Sequence, residues 1–272
     1  RLQTGAGSVQ FPPARRNDKR DGTQGITSYP IHIKIDTGMH RLGFQPEDVP
    51  EVCRRLKEQS GVVARSVFSH LVGSDSYIFD DFTKKQLDTF TRVAAELEAG
   101  LEYKVIKHIL NSAGIERFTD YQMDMVRLGI GLYGVSASGQ KGLRNISTLK
   151  TTILQIQNVP AGDSIGYSRM SYVKRDSRIA IIPIGYADGL DRHFSNGGGE
   201  VVINGHRCPI IGNICMDACM IDVTDTDAHE GDTVIIFGEE LPVSELSDKL
   251  KTIPYEILTS ISPRVKRVYY RE

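Results

Sequence analysis

Arg41 follows the turn Asp36-Thr37-Gly38-Met39, which closes a short apolar run. An arginine at the end of a parallel strand can clamp a carboxylate or a phenolic oxygen through its planar fork, although an arginine on its own reads as readily as a surface residue. Lys34 belongs to the same run, and His70 ends the run Ser66-Val67-Phe68-Ser69-His70. A lone histidine fits packing as well as catalysis. The turns Asn111-Ser112 and Gly129-Ile130 are small and rich in backbone, so their N–H groups and a hydroxyl can face a phosphate at little steric cost. Arg127 lies just before the second turn and could pair with Asp124 or serve a ligand. Tyr167, in Gly162-Asp163-Ser164-Ile165-Gly166-Tyr167, offers a phenol. With an unperturbed pKa of about 10, it needs help from its surroundings to act as a base near neutrality. Met216-Asp217 and the pair Tyr186 and Arg192, around Gly185-Tyr186-Ala187-Asp188-Gly189, complete the candidate set. Met216 alone also reads as core packing.

The elements that must position these residues change character along the chain. From Ile31, short apolar strands alternate with amphipathic helices. Strands are expected over 31–36, 62–70, 103–110 and 123–128, with helices over 46–59 and 80–99, where Leu87, Phe90, Val93, Ala94 and Leu97 recur at helical spacing. Strand–helix alternation implies parallel βαβ units. After about residue 146 the runs 152–159, 178–184, 200–203, 218–223 and 233–237 read as strands between Gly, Asn, Asp and Pro turns. One helix is expected over 243–250 and a second, short one after Pro254. The fold class expected is therefore α/β followed by β. The boundaries expected are a disordered or junction segment over 1–28, an α/β domain over 29–147 and a mainly-β domain over 148–272.

Composition excludes several classes. With 40% hydrophobic and 25% charged residues and a net charge of −1, the chain reads as globular, with no overall pull toward nucleic acid or membrane. No run approaches the roughly 20 apolar residues of a membrane span, and no apolar signal core opens the sequence, which favours the cytoplasm. Cys53, Cys208, Cys215 and Cys219 match neither a disulfide framework nor a zinc set, so free thiols and no metal are expected.

The segments His32–Phe44 and Ile184–Gly189 resemble stretches of alanine racemase, and from Ile31 onward, about nine-tenths of the chain, further motifs follow in that family's order. The resemblance implies a partial TIM-like (β/α) barrel followed by a mainly-β C-terminal domain, assembled as a head-to-tail homodimer with shared sites. It implies pyridoxal 5'-phosphate as cofactor and interconversion of L- and D-alanine by two opposed bases, supplying D-alanine for peptidoglycan. Tyr167 matches the catalytic tyrosine, which acts from the partner subunit on L-alanine, with His70 and Arg127 beside it. Arg127 matches the arginine facing the pyridine nitrogen. An arginine cannot accept that proton, so the ring stays neutral and proton return competes better with side reactions, which suits a racemase. Arg41 matches a residue near the phenolic oxygen and the substrate carboxylate, and Lys34 a lysine that some members carbamylate. Asn111, Ser112, Gly129 and Ile130 match the phosphate site, Met216 and Asp217 the substrate-carboxylate loop, and Tyr186 and Arg192 the access corridor.

Two departures accompany the resemblance. Pro263, in Ser262-Pro263-Arg264-Val265, stands where members often have a tyrosine that contacts the phosphate. No lysine followed by an Ala-Asn-Tyr-Gly-like turn, the family's cofactor anchor, occurs in the sequence. The expectation that follows is a half barrel with open sheet edges beside a β-domain able to hold its own core. A catalytically silent racemase fragment, serving as a dimerisation or binding module, stays open beside the enzyme.

Overall fold

Ile31, Ile33 and Ile35 alternate with His32 and Lys34, so one side of the first strand is apolar and goes under helices while the other stays polar. In a computed structural model of the chain, the described residues are 3–4, 7–8, 28–139 and 142–270. The segment 1–28, expected to be disordered or a junction, lies almost wholly outside them. The chain divides into two compact units, Arg1–Leu132 with Ser136–Gly142, and Tyr133–Val135 with Leu143–Glu272.

The first unit holds a three-stranded parallel sheet in the order β1 (Tyr29–Lys34), β2 (Val62–Phe68), β3 (Ile106–His108). Two helices connect the strands, α1 (Val49–Lys57) and α2 (Asp80–Leu101). Helix α1 starts after Pro46 and buries Val49, Val52, Cys53 and Leu56, the i, i+3, i+4, i+7 stripe of a surface helix. Helix α2 buries Leu87, Phe90, Val93, Ala94 and Leu97 against the sheet and ends at Glu102, which is left-handed at φ 66°. Gly100 lets the helices meet, because a Cβ there would lie 2.6 Å from Cys53 Sγ. A short α3 (Ser112–Arg117) follows β3.

The strand expected over 123–128 is not formed. Asp124 N donates to Lys107 O and Arg127 N to Leu110 O, but the Asp124 carboxylate takes Lys107 N, so a side chain interrupts the ladder beside β3. Strand β1 begins two residues earlier than expected, and β2 and β3 are shorter than their apolar runs, ending at Phe68 and His108 where the chain turns into the loops that carry polar residues.

The second unit is a seven-stranded antiparallel sheet. Its strands are β4 (Leu149–Thr152), β5 (Gln155–Val159), β8 (Ser177–Ile182), β9 (Glu200–Ile203), β10 (His206–Ile211), β11 (Cys219–Asp222) and β12 (Thr233–Phe237). A separate hairpin pairs β6 (Ser164–Ile165) with β7 (Ser171–Tyr172). The sheet order is β4-β12-β9-β10-β11-β8-β5. Strands β4 and β5 thus lie at opposite ends of the order yet are joined by Ile153 and Leu154 alone, so the sheet curls until its edges approach. This splits the single strand expected over 152–159: Ile153 N bonds Asp232 O beside β12, and Leu154 N bonds Ile181 O of β8. Helices α4 (Val243–Leu250) and α5 (Pro254–Ser260) close one side of the core formed by Ile182, Val201, Ile203, Ile210, Ile221 and Val234.

Strand β10 was absent from the expected set. The hairpin signal was present as Asn204-Gly205, both at positive φ (49° and 76°), which is the chemistry of a two-residue turn. Pro209 and the exposed His206 and Arg207 masked the strand that follows. The four cysteines are free thiols, buried except for the half-buried Cys215. No described helix is long and apolar enough to cross a membrane.

Candidate active site

Asp36 organises the turn beyond β1. Its Oδ1 accepts the amides of Gly38 (2.9 Å), Met39 (2.9 Å) and His40 (3.1 Å). Burial acts to raise the Asp36 pKa, and those three amides outweigh it, holding the carboxyl below its ordinary value. The loop returns through Phe44 N to Lys34 O (2.8 Å), and Gly43, at φ 128°, is needed there because a Cβ would sit 2.8 Å from Asp36 N. Arg41 projects from this loop and is exposed. Lys34 is half-buried and has no ion pair among the described residues. Burial first, then the Arg41 charge, lowers its pKa, with Asp36 opposing.

His70 leaves the end of β2 and is fixed through its backbone. The carboxamide of Gln86, fully buried on α2, donates to His70 O and to Thr37 Oγ1 (both 3.2 Å) and accepts Val72 N (3.0 Å). Thr37 Oγ1 also meets Ser69 Oγ at 2.8 Å. One glutamine thereby ties the turn after β1 to the turn after β2. Sequence reading missed Gln86, whose only signal was a polar residue at a core position of the α2 stripe.

Arg127 lies across the ends of two strands. Its Nη1 donates to His108 O (3.1 Å) and meets His108 Nδ1 (2.6 Å), while Nη2 donates to Ser69 O (2.6 Å) and Ile109 O (3.0 Å). The pairing with Asp124 left open by the sequence does not occur, since that carboxylate holds Lys107. Four of the five guanidinium N–H groups are committed, and Nε–H has no partner among the described residues. Burial lowers the Arg127 pKa. Burial, then Arg127, Arg41 and Lys34, pushes His70 down to about 4, and burial, Arg127 and His32 do the same to His108. Lys34, Arg41, His70 and Arg127 thus form one electropositive group in which both histidines, His70 and His108, are neutral near pH 7. Such a group favours anions and opposes a further cation.

Ser112 is buried at the start of α3, and its Oγ accepts Gly129 N (2.9 Å) and Gly131 N (3.2 Å). Ile130 lies between them with its side chain buried. Asn111 caps α3 by accepting Gly114 N (3.0 Å) and meets Ser74 Oγ at 2.8 Å. Asn111, Ser112, Gly129 and Ile130 therefore meet at one place.

In the second unit, Tyr167 stands 72% exposed at the tip of the β6–β7 hairpin. Gly166, Ser168 and Arg169 turn there with φ of 73°, 63° and 50°, and Asn213 Nδ2 donates to Tyr167 O (3.0 Å). Met216 and Asp217 are exposed in a turn closed by Cys215 N to Ala218 O (2.9 Å). Tyr186 N and Ala187 N donate to Cys215 O (3.1 Å) and Met216 O (2.9 Å), which brings Tyr186 to the same turn. Gly185 permits this approach, because a Cβ there would lie 2.3 Å from Cys215 O. Arg192 begins a separate exposed turn with Phe194 buried behind it.

A second element escaped the sequence. The Asp188 carboxylate takes a bidentate fork from Arg264 (2.6 and 2.9 Å) and the amide of Gly185 (2.9 Å). It fastens the Gly185–Gly189 turn to the C-terminal segment next to Pro263. Arg264 is the chief cause holding Asp188 below its ordinary pKa.

A partial (β/α) barrel with cation-rich strand ends and a curled mainly-β domain define a class, and comparison with known proteins names it. Residues 19–137 match the family "Alanine racemase, N-terminal domain" and residues 146–269 match "Alanine racemase, C-terminal domain". Alanine racemase 2 of Caldanaerobacter subterraneus subsp. tengcongensis is 41% identical over 251 residues, covering 88% of this chain and 64% of that protein. Alanine racemase of Desulfovibrio desulfuricans is 38% identical, covering 90% of this chain and 67% of that one. Among solved structures, the Bartonella henselae alanine racemase with covalently bound pyridoxal phosphate superposes with a TM-score of 0.80 at 36% identity, over 89% of this chain and 66% of that one. The Bacillus anthracis enzyme with bound L-Ala-P gives 0.83 at 31%, over 92% and 66%. The chain belongs to the alanine racemase family, and it spans about two thirds of the length of these relatives.

Proposed function

We propose that the chain works as a pyridoxal-phosphate-dependent alanine racemase in the cytoplasm, interconverting L- and D-alanine as a homodimer and supplying D-alanine for peptidoglycan. The observation that carries this reading is Arg127, whose four Nη hydrogens are spent on strand-end groups while, among the described residues, Nε–H stays uncommitted and no carboxylate pairs with it. The donor set fits the cofactor. Nε–H can donate to an unprotonated pyridine nitrogen, and the surrounding cations oppose its protonation. The Ser112 O–H, whose oxygen is held by the amides of Gly129 and Gly131, and the Ile130 N–H, with Asn111 behind them, suit a phosphate.

Pyridoxal phosphate supplies the electron sink that acidifies the α-proton of the bound amino acid. The protein residues bind, orient and move protons around it. Arg41 binds the substrate carboxylate or the phenolic oxygen, and Lys34, whose amine is shifted toward its neutral form, is open to carbamylation that would turn it into an anionic partner for Arg41. The Met216–Asp217 turn receives the carboxylate through backbone N–H groups, chiefly that of Met216, and Tyr186 and Arg192 line the approach. Tyr167, contributed by a second copy of the chain, takes or returns the α-proton at its phenolic oxygen, with neutral His70 as hydrogen-bond partner.

A second reading, a silent racemase relative acting as a dimerisation or binding module, rests on one observation. Among the described residues, Lys34 is the lysine whose charge is felt by His70, and no other described lysine joins that group. One experiment separates the two. Purified chain is incubated with pyridoxal phosphate and L-alanine, D-alanine is followed by chiral chromatography, and any borohydride-fixed adduct is mapped to its lysine. The enzyme reading expects D-alanine, lost in Tyr167→Phe. No D-alanine and no fixed adduct would overturn the enzyme reading and leave the silent relative.

A further inference from the structure

Behind Arg127 runs a hydrogen-bonded chain to which the mechanism assigns no role. Arg127 Nη1 lies 2.6 Å from His108 Nδ1, His108 Nε2 lies 3.2 Å from Ser66 Oγ, and Ser66 Oγ lies 2.5 Å from His32 Nδ1. The parallel register makes this possible, since His32 and Ser66 are direct partners across β1 and β2. One set of directions gives every buried donor in this chain an acceptor. Arginine only donates, so His108 Nδ1 accepts and its ring proton sits on Nε2. That N–H donates to Ser66 Oγ, and the Ser66 O–H is left to donate to His32 Nδ1.

The ring of His108 is also held in place. It stacks on Phe68 with centroids 5.1 Å apart and planes 4° from parallel. His108 is 4% exposed and Ser66 is fully buried, so neither can replace a lost partner with bulk water. The Arg127 carbon lies 5.5 Å from the centre of the same Phe68 ring.

We propose that Ser66 and His32 are positioning residues that lock His108 in its Nε2–H tautomer and thereby fix the direction in which Arg127 presents Nε–H. The inference rests on the reading of Arg127 as the partner of a pyridine nitrogen. Its chemistry makes the site selective for a ring that accepts a hydrogen bond at that position over an isosteric ring that cannot.

The test compares binding of pyridoxal phosphate with that of its 1-deaza analogue, in which C–H replaces the ring nitrogen, using the full chain. The native chain is expected to prefer the nitrogen-bearing ring by about fivefold to tenfold, the worth of one hydrogen bond. Ser66→Ala should bring that ratio close to one, and Ser66→Thr, which restores the hydroxyl, should recover it. A purely structural role would weaken both ligands equally and leave the ratio unchanged. Imidazole nitrogen-15 spectra of the ligand-free chain provide a second readout. Native His108 should show one Nε2–H form, and Ser66→Ala a mixture. An unchanged ratio together with an unchanged His108 spectrum would overturn the proposal. Equal binding of the two ligands by the native chain would instead overturn the reading of Arg127, while the His108 spectra still judge the relay. Should Ser66→Ala fail to fold, the exposed His32 carries the same comparison, with His32→Leu lowering the ratio and His32→Gln, which keeps an acceptor, preserving it.

Discussion

Replacing Arg127 with lysine keeps a positive charge and removes the fork, which makes it a sharp probe of how the site is built. The guanidinium reaches Ser69 O at 2.6 Å, Ile109 O at 3.0 Å, His108 O at 3.1 Å and His108 Nδ1 at 2.6 Å. An ammonium has three N–H groups, so at least one of these four acceptors loses its donor and nothing corresponds to Nε–H. A charge-assisted hydrogen bond contributes about 1.5–3 kcal/mol, so Arg127→Lys should cost about 2 kcal/mol. That is roughly 30-fold in the folding equilibrium of the first unit. Helical circular dichroism in urea is the assay, because the two longest helices, α1 and α2, both belong to this unit. The midpoint should fall with the slope unchanged. A loss below about 0.5 kcal/mol, the size of an ordinary surface substitution, would refute the claim that Arg127 binds the strand ends together.

Three further outcomes follow from the geometry. His70 and His108 both titrate near 4 in the folded chain against about 6.5 unfolded, so below pH 6.5 the unfolded chain binds more protons. Stability is complete above pH 6.5 and is lost as pH falls toward 4, by up to about 1.4 kcal/mol per pH unit for each histidine; urea midpoints at pH 7 and pH 5 measure it, and His70→Asn should flatten the slope. Gln86→Leu leaves His70 O and Val72 N without their partner and should cost about 2–3 kcal/mol in the same denaturation assay, with faster hydrogen exchange at Val72. Gly185→Ala drives a methyl against the carbonyl of Cys215, which backbone cannot easily yield, and should cost about 1–3 kcal/mol while speeding exchange of the Tyr186 and Ala187 amides.

Sequence patterning served where a local rule was sufficient. Ile31, Ile33 and Ile35 mark β1 by period two, and Leu87, Phe90, Ala94 and Leu97 mark α2 by helical period, because burial on one face leaves its signature in neighbouring positions. It failed where a long-range partner decided the outcome. Residues 123–128 have a strand's composition, but the Asp124 carboxylate displaced the main-chain acceptor that a ladder needs. The run from Thr152 to Val159 changes neighbours at Ile153, which only the curl of the sheet reveals. The candidate site divides in the same way. Arg127, Ser112 and Tyr167 stand out as residues at turns within recognisable motifs. Gln86, His108, Ser66 and the Asp188–Arg264 clasp do not, since each acts on a residue brought to it by tertiary pairing.

The most direct measurement of the central claim uses pyridoxal phosphate labelled with nitrogen-15 in its ring, bound to the full chain near pH 7. An arginine facing that nitrogen in a group of cations predicts the chemical shift of an unprotonated pyridine that accepts a hydrogen bond, and its movement in Arg127→Lys. The shift of a protonated pyridinium, or one unaffected by that substitution, would contradict the account.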